Sequence, residues 1–247
     1  MIPMNISVII PVYNEEACLP EIMRRVHAAG VFEVLAVDDG STDGSWSVLQ
    51  RIAGEMPEVR LQRHASNRGK GAAIRTAVPE VRGDIVIIQD ADLEYDPAEY
   101  PELVRPIEAG EADAVYGSRI LGDNPASYTR YYWGGRFLTW ATNALFGSRL
   151  TDTHTCYKVF RTSVFRELPL REDRFGFCTE ATSLLLIKGV RIVEVPISYH
   201  PRSMSEGKKI RWYDGLTALR VAFRIRFGGR SGEVKKIRSQ EDKKSSS

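Results

Sequence analysis

The chain is poor in cysteine, in histidine and in long apolar runs. Its three cysteines, Cys18, Cys156 and Cys178, lie far apart with no C-x-x-C among them. That spacing excludes a disulfide scaffold and predicts a reducing compartment. The four histidines have no zinc-ligand spacing. No run approaches the ~20 apolar residues of a bilayer span. Residues 6–10 are too short for the apolar region of a signal peptide, so a soluble or peripheral protein on the cytoplasmic face of a membrane is expected. An excess of one charge is missing too. The 34 basic and 32 acidic residues leave a net charge of +2, which gives no electrostatic footprint for nucleic acid. What is present is ordinary globular material: 43% of the 247 residues are hydrophobic and 27% charged, enough for one sizeable core. Basic residues crowd the C-terminal end, from Lys208 and Lys209 to Lys243 and Lys244, which suggests an anionic surface as partner.

Short apolar strands alternate with helical patterns through the first half. Strands are expected at residues 5–10, 31–37, 59–63, 84–89 and 114–118. The first helix is expected to be capped by Asn14 and to turn Leu19, Ile22, Met23 and Val26 inward. Further helices are expected at 43–53, with Trp46, Leu49 and Ile52 inward, at 70–77 and at 97–109. Beyond residue 131 the rhythm changes to an apolar helix over 131–146, strands over 155–161 and 190–199, and a helix over 180–188 between them. The alternation predicts an α/β fold with a mostly parallel central sheet and helices on both faces.

The polar motifs fall where the strands end, the place at which such sheets bind ligands. Tyr13-Asn14-Glu15-Glu16, Asp38-Asp39-Gly40-Ser41 and Asp90-Ala91-Asp92 follow three strands and are expected to converge on one crevice. Two carboxylates one residue apart at the end of a buried strand suit a hard cation such as Mg2+ or Mn2+, with Glu94 near enough to help. The bland alternative is a pair of solvated loop acids. Asp38 and Asp39 can accept from a base N–H or a ribose hydroxyl, or the segment is plain turn chemistry. Tyr13 can stack on a base and Glu15 reach a ribose, or the loop is a helix cap with acids in its first turn. Asn67-Arg68-Gly69-Lys70-Gly71 has the Gly and Lys of a phosphate cradle without P-loop spacing. It reads either as a basic junction that contacts an anion or as a solvated loop.

In this order, PVYNEE, VDDGSTDGS, NRGKGAA, QDADLEYDP, GSR and EVPISYHPRSMSEGKKI resemble the inverting glycosyltransferases of family 2. Within that family the chain is similar to polyprenol-phosphate sugar synthases of the dolichyl-phosphate mannose synthase type. The likeness runs over residues 5–227. It implies a GT-A fold, a nucleotide-sugar donor such as GDP-mannose or UDP-glucose, a polyprenyl phosphate acceptor and a divalent Mg2+ or Mn2+. Carried onto matching positions, Pro11, Tyr13 and Glu15 would hold the nucleotide, and Val37 and Asp39 would line the base and ribose site. Asp90, Ala91 and Asp92 would meet the donor, and Asp90, Asp92 and Glu94 the metal, Asp92 foremost. Arg119 would hold phosphate. Arg202, Lys208 and Lys209 would belong to a basic loop over the diphosphate and the acceptor phosphate. Asp92, Arg119, Arg202 and Lys208 are the expected catalytic set. A phosphate monoester is already an anionic nucleophile and needs no base. An alcohol acceptor would need one, for which Asp152 and Glu180 are the candidates.

Many members of the family continue into transmembrane helices, whose place residues 210–227 are expected to take. On a helical wheel Trp212, Leu216, Leu219, Phe223 and Phe227 share one face, Val221 and Ile225 the other, with Arg220 and Arg224 between. One side would pack on the domain and the other lie in the bilayer interface. The competing role is burial against a second subunit, which would make the protein a homo-oligomer. Tyr128, Tyr131, Tyr132 and Trp133 would line a lipid groove or simply pack. The expected organisation is a single catalytic domain over 1–227, with a nucleotide-sugar-binding half at 1–120, an acceptor half at 121–209 and the amphipathic helix at 210–227, followed by a disordered basic tail over 228–247. A silent binding subunit would have lost acids that are present here, Asp90 and Asp92. A sugar nucleotidyltransferase would carry a Gly-rich basic loop where this chain has the acidic segment at 11–16.

Overall fold

The computed structural model describes residues 4–124, 129–202 and 212–228. Lys208, Lys209, Tyr128 and residues 229–247 lie outside the described residues. Seven strands form one sheet: β1 (Ile6–Val12), β2 (Glu33–Asp38), β3 (Val59–Arg63), β4 (Ile85–Ile88), β5 (Ala114–Ser118), β6 (Lys158–Arg161) and β7 (Ile192–Pro196). Their order is β3-β2-β1-β4-β6-β5-β7. All pairings are parallel except those of β6, which runs antiparallel between β4 and β5. The chain moves outward from β1 to β3, then turns back to β4. Right-handed crossovers therefore put the helices before and after that reversal on opposite faces, and a crevice opens at the carboxyl ends of β1 and β4.

The helices follow the apolar periodicity. α1 (Leu19–Ala28) buries Leu19, Ile22, Met23 and Val26, the face its sequence sets out. α2 (Ser45–Glu55) buries Leu49 and Ile52, whereas Trp46 is only half-buried. α3 (Lys70–Ala77) lies across β1 and β2, and α4 (Tyr100–Glu108) across β5 and β6. The second half adds α5 (Thr129–Phe146), a short α6 (Thr162–Arg166) that periodicity does not reveal, α7 (Gly176–Ile187) and α8 (Trp212–Gly228). α5, α7 and α8 pack together as a helical layer beside the sheet.

Asn14 does not cap α1. It stands in the left-handed region at φ 50°, and Cys18 precedes the helix. Pro20, in the first turn, has no N–H to satisfy there, so α1 starts without a side-chain cap.

The glycines of Asn67–Gly71 are spacers, not a cradle. A Cβ on Gly69 would stand 2.4 Å from the Asp173 carbonyl oxygen, and one on Gly71 2.2 Å from that of Glu172. Ala72 N–H donates to Asp173 O at 3.0 Å, and Arg75 grips Glu172 O at 2.7 Å. The N-terminus of α3 is thus closed by the 172–173 loop of the second half. Gly71→Ala should force these backbones apart and destabilise the protein by about 1–3 kcal/mol. The expected reading is a lower urea midpoint with an unchanged denaturant slope.

Candidate active site

β2, β1 and β4 are neighbours, so their three polar ends do meet at one edge. Pro11 pairs with Val37 and Val12 with Asp38 across β1 and β2. Val37 and Ala91 are buried in the core and support the crevice from beneath. The loops after β1 and β2 are zipped together. Thr42 N–H donates to Asn14 Oδ1 at 2.8 Å, Glu15 N–H to Ser45 Oγ at 2.9 Å, and Gly44 N–H to Glu16 Oε2 at 2.9 Å. Asp38 is fully buried and pairs with Arg63 at 3.0 Å. Asp39, also buried, accepts from Arg68 N–H at 2.9 Å and Gly69 N–H at 2.6 Å, and faces His64 Nδ1 at 2.6 Å. It therefore anchors the Asn67–Gly71 loop through the N–H groups of Arg68 and Gly69.

Gln89 fixes the Asp90 loop from below. Its Oε1 accepts the hydroxyls of Tyr100 and Tyr157 at 2.8 and 2.9 Å, and its amide donates to Asp90 O at 3.0 Å. The three expected metal ligands lie side by side but face different partners. Asp90 pairs with Lys70 at 2.5 Å. Asp92 pairs with Arg202 at 2.7 Å. Glu94 accepts from Tyr199 hydroxyl and from Arg202 N–H, both at 2.9 Å. Arg202 also reaches Glu15 at 3.0 Å. Among the described residues no three acid, histidine or cysteine side chains form a ready metal cage.

The donor set nonetheless fits a divalent cation. Among the described residues four carboxylates, Glu15, Asp90, Asp92 and Glu94, gather around two cations, Lys70 and Arg202, a site rich in hard oxygen donors. Burial, with Asp90 and Glu94 as like-charged neighbours, pushes Asp92 up to about 7 despite Arg202. Burial also opposes charge on Asp90, but Lys70 outweighs it and holds that carboxyl below its usual range. Hard oxygen ligands of this kind suit Mg2+ or Mn2+.

Arg119 follows β5 and is clamped by Asp152 through two bonds, Nε to Oδ2 at 2.7 Å and Nη2 to Oδ1 at 2.9 Å. Burial disfavours ionised Asp152, yet Arg119 more than offsets it and keeps the carboxyl low. Glu194 accepts from the N–H groups of Thr151 and Asp152 at 2.7 and 2.9 Å, and buried Lys158 donates to the carbonyls of Thr153 and Thr155 at 3.0 and 2.6 Å. Glu180 accepts from the N–H groups of Arg171 and Glu172 at 2.9 and 2.8 Å and from Arg224 at 3.2 Å. Both candidate bases are therefore engaged: Asp152 orients an arginine, and Glu180 ties α7 to α8.

A family model described as glycosyl transferase family 2 matches residues 7–169. The chain belongs to glycosyltransferase family 2. Over 229 residues it is 33% identical to an undecaprenyl-phosphate 4-deoxy-4-formamido-L-arabinose transferase of Pseudomonas paraeruginosa, covering 88% of this chain and 63% of that protein. It is 29% identical over 225 residues to a dolichol-phosphate mannosyltransferase of Pyrococcus furiosus, covering 83% and 59%. The chain thus spans about three-fifths of these relatives' length. Its fold is the GT-A fold of glucosyl-3-phosphoglycerate synthase from Mycobacterium tuberculosis, seen in complex with Mn2+, uridine diphosphate and phosphoglyceric acid. That likeness has a TM-score of 0.67 at 20% identity and covers 91% of this chain and 79% of the other.

In this family member the structure gathers Glu15, Asp90, Asp92, Glu94 and Arg202, and places Arg119 on the other side of Tyr199, its guanidinium 5.1 Å from the ring centre. Sequence reasoning missed Lys70 as the partner of Asp90, and missed Gln89 and Tyr199 altogether. A lysine in a basic loop and a polar residue ending a buried strand were the available signals. In metal-free protein the Asp92 carboxyl is raised from 3.8 to about 7, so the folded state binds more protons than the unfolded one between those values. Stability should fall as pH rises through that window, by at most about 4 kcal/mol. Urea midpoints from acid to neutral pH are expected to show this slope, flattened in Asp92→Asn.

Proposed function

We propose that the chain moves a hexose, mannose or glucose, from a GDP- or UDP-sugar to a polyprenyl phosphate with the help of Mg2+ or Mn2+. The names of the relatives support the lipid phosphate, and those of the structural neighbours support a divalent cation and a nucleotide-sugar. The observation that carries the acceptor is the engagement of both candidate bases. Asp152 is clamped to Arg119 and held ionised, and Glu180 is buried under two backbone N–H groups. That arrangement suits an acceptor that arrives as an anion, and a phosphate monoester does so.

Glu15, Pro11 and Tyr13 line the nucleotide side at the end of β1, and Asp39 keeps the neighbouring loop in place. Asp90 and Asp92, with Glu94 beside them, would hold the cation, which supplies charge stabilisation to the departing diphosphate. Arg202 reaches the same acids and would stabilise the negative charge that builds on the distal phosphate as the sugar–phosphate bond breaks. Arg119, aligned by Asp152, would hold the acceptor phosphate while its oxygen attacks the anomeric carbon and the nucleoside diphosphate leaves. Lys208 and Lys209 are assigned to the same phosphates by resemblance alone.

A lipid acceptor calls for a membrane surface, and α5 with α8 supports one. Trp133, Phe137 and Trp140 stand exposed on α5, and Leu216, Phe223 and Phe227 on α8. Ala218, Val221 and Ala222 form the buried face of α8. Arg220 and Arg224, expected to meet headgroups, are both exposed, and Arg224 also pairs with Glu172 and Glu180 at 3.0 and 3.2 Å. No helix among the described residues is long and apolar enough to cross a membrane. Aromatic rings above a packed small-residue face suit the bilayer interface.

Labelled sugar from GDP-mannose or UDP-glucose should appear on polyprenyl phosphate with Mg2+ or Mn2+, vanish with EDTA, and fall at least ~100-fold in Asp92→Ala. Transfer to a hydroxyl acceptor alone would sink the reading. The double variant Trp140→Ala, Phe223→Ala should bind anionic liposomes at least ~10-fold more weakly with an unchanged melting point. Unchanged sedimentation, or a shift in oligomeric state, would instead assign that face to a second copy.

A further inference from the structure

Tyr199 joins the two halves of the site. It lies just beyond β7, and its backbone N–H donates to Asn124 Oδ1 at 2.6 Å. Asn124 in turn donates to the carbonyls of Arg119 and Ile197 at 2.9 and 2.8 Å, which ties this segment to the end of β5. The side chain is buried, and its ring is braced by Tyr95 at a centroid distance of 5.4 Å. From that fixed position it makes two polar contacts in different directions. Its hydroxyl donates to Glu94 Oε2 at 2.9 Å. Its ring faces the Arg119 guanidinium at 5.1 Å. Glu94 supports Asp92 through a backbone N–H bond to Oδ1 at 3.1 Å.

We propose that Tyr199 is a positioning residue that sets the acidic donor cluster and the phosphate arginine in register, the hydroxyl acting through Glu94 and the ring face through Arg119. The inference rests on the proposed function, since it needs a cation at the acids and a phosphate at Arg119. The geometry makes the two contacts chemically separable. Phenylalanine keeps the ring against Arg119 and Tyr95 and loses only the bond to Glu94. Leucine loses both. A side chain that merely fills space would not sort its effects in this way.

The test reads binding without turnover. Mn2+ affinity is followed from the free-ion paramagnetic resonance signal, with saturating GDP or UDP present, and farnesyl phosphate affinity by calorimetry. Tyr199→Phe should weaken Mn2+ binding ~10-fold, the usual effect of losing a group that orients a metal ligand. Its farnesyl phosphate affinity should stay within about twofold of wild type. Tyr199→Leu should weaken both, farnesyl phosphate by roughly threefold to tenfold, the worth of a partly buried cation–π contact. If the leucine variant fails to fold, Glu94→Ala decides, because it removes the acceptor of the Tyr199 hydroxyl. In that background Tyr199→Phe should have no further effect on Mn2+ affinity. Equal losses of both ligands in Tyr199→Phe, or unchanged Mn2+ affinity, would overturn the role. A wild-type protein that binds neither Mn2+ nor farnesyl phosphate would overturn the proposed function itself, and the Tyr199 role with it.

Discussion

Four carboxylates crowd the carboxyl ends of β1 and β4, and they cannot stay ionised in a half-buried crevice without compensation. Cations from both halves of the chain answer that constraint. Lys70 reaches Asp90 from the start of α3, and Arg202 crosses from beyond β7 to Asp92 and Glu15. The 172–173 loop closes the end of α3 that carries Lys70. Clustered carboxylate oxygens of this kind are hard donors, the type that suits a divalent cation.

Several motif residues also hold the loops of the site together. Asp39 gathers the Asn67–Gly71 loop, Asn14 and Glu16 stitch the first loop to the second, and Gly69 and Gly71 admit another backbone. Their residue types were legible in the sequence, but these loop contacts were not. A carboxylate that accepts a ribose hydroxyl and one that accepts a backbone N–H are the same side chain in a sequence. Only the donors that reach it tell them apart. The same holds for Asp152. As a lone acid it reads as a base, and beside Arg119 it is an orienting clamp.

β6 explains how distant stretches come to share one site. It enters antiparallel between β4 and β5, so residues 152–156 arrive beside the end of β4 and meet Arg119 at the end of β5. Thr153 then touches Thr139 of α5 at 3.0 Å. The helix that carries the exposed Trp133, Phe137 and Trp140 is thereby joined to the arginine clamp by one short hydrogen-bonded path.

The sequence by itself determined the parallel α/β half, the inward faces of α1 and α2, and the three acidic strand ends. Each is a local matter of period, side-chain branching and turn residues, and adjacent βα units have few ways to pair. It also carried the family in six motifs. Tertiary structure alone decided where β6 inserts, which cation each acid faces, that Arg224 pairs with Glu172 and Glu180, and that Tyr199 stands between Glu94 and Arg119. Those contacts join residues as much as 187 positions apart, as Glu15 and Arg202 are. No periodicity encodes such a pairing. It follows from the direction in which the sheet brings its strand ends together, and from the cost of leaving any one of those charges alone.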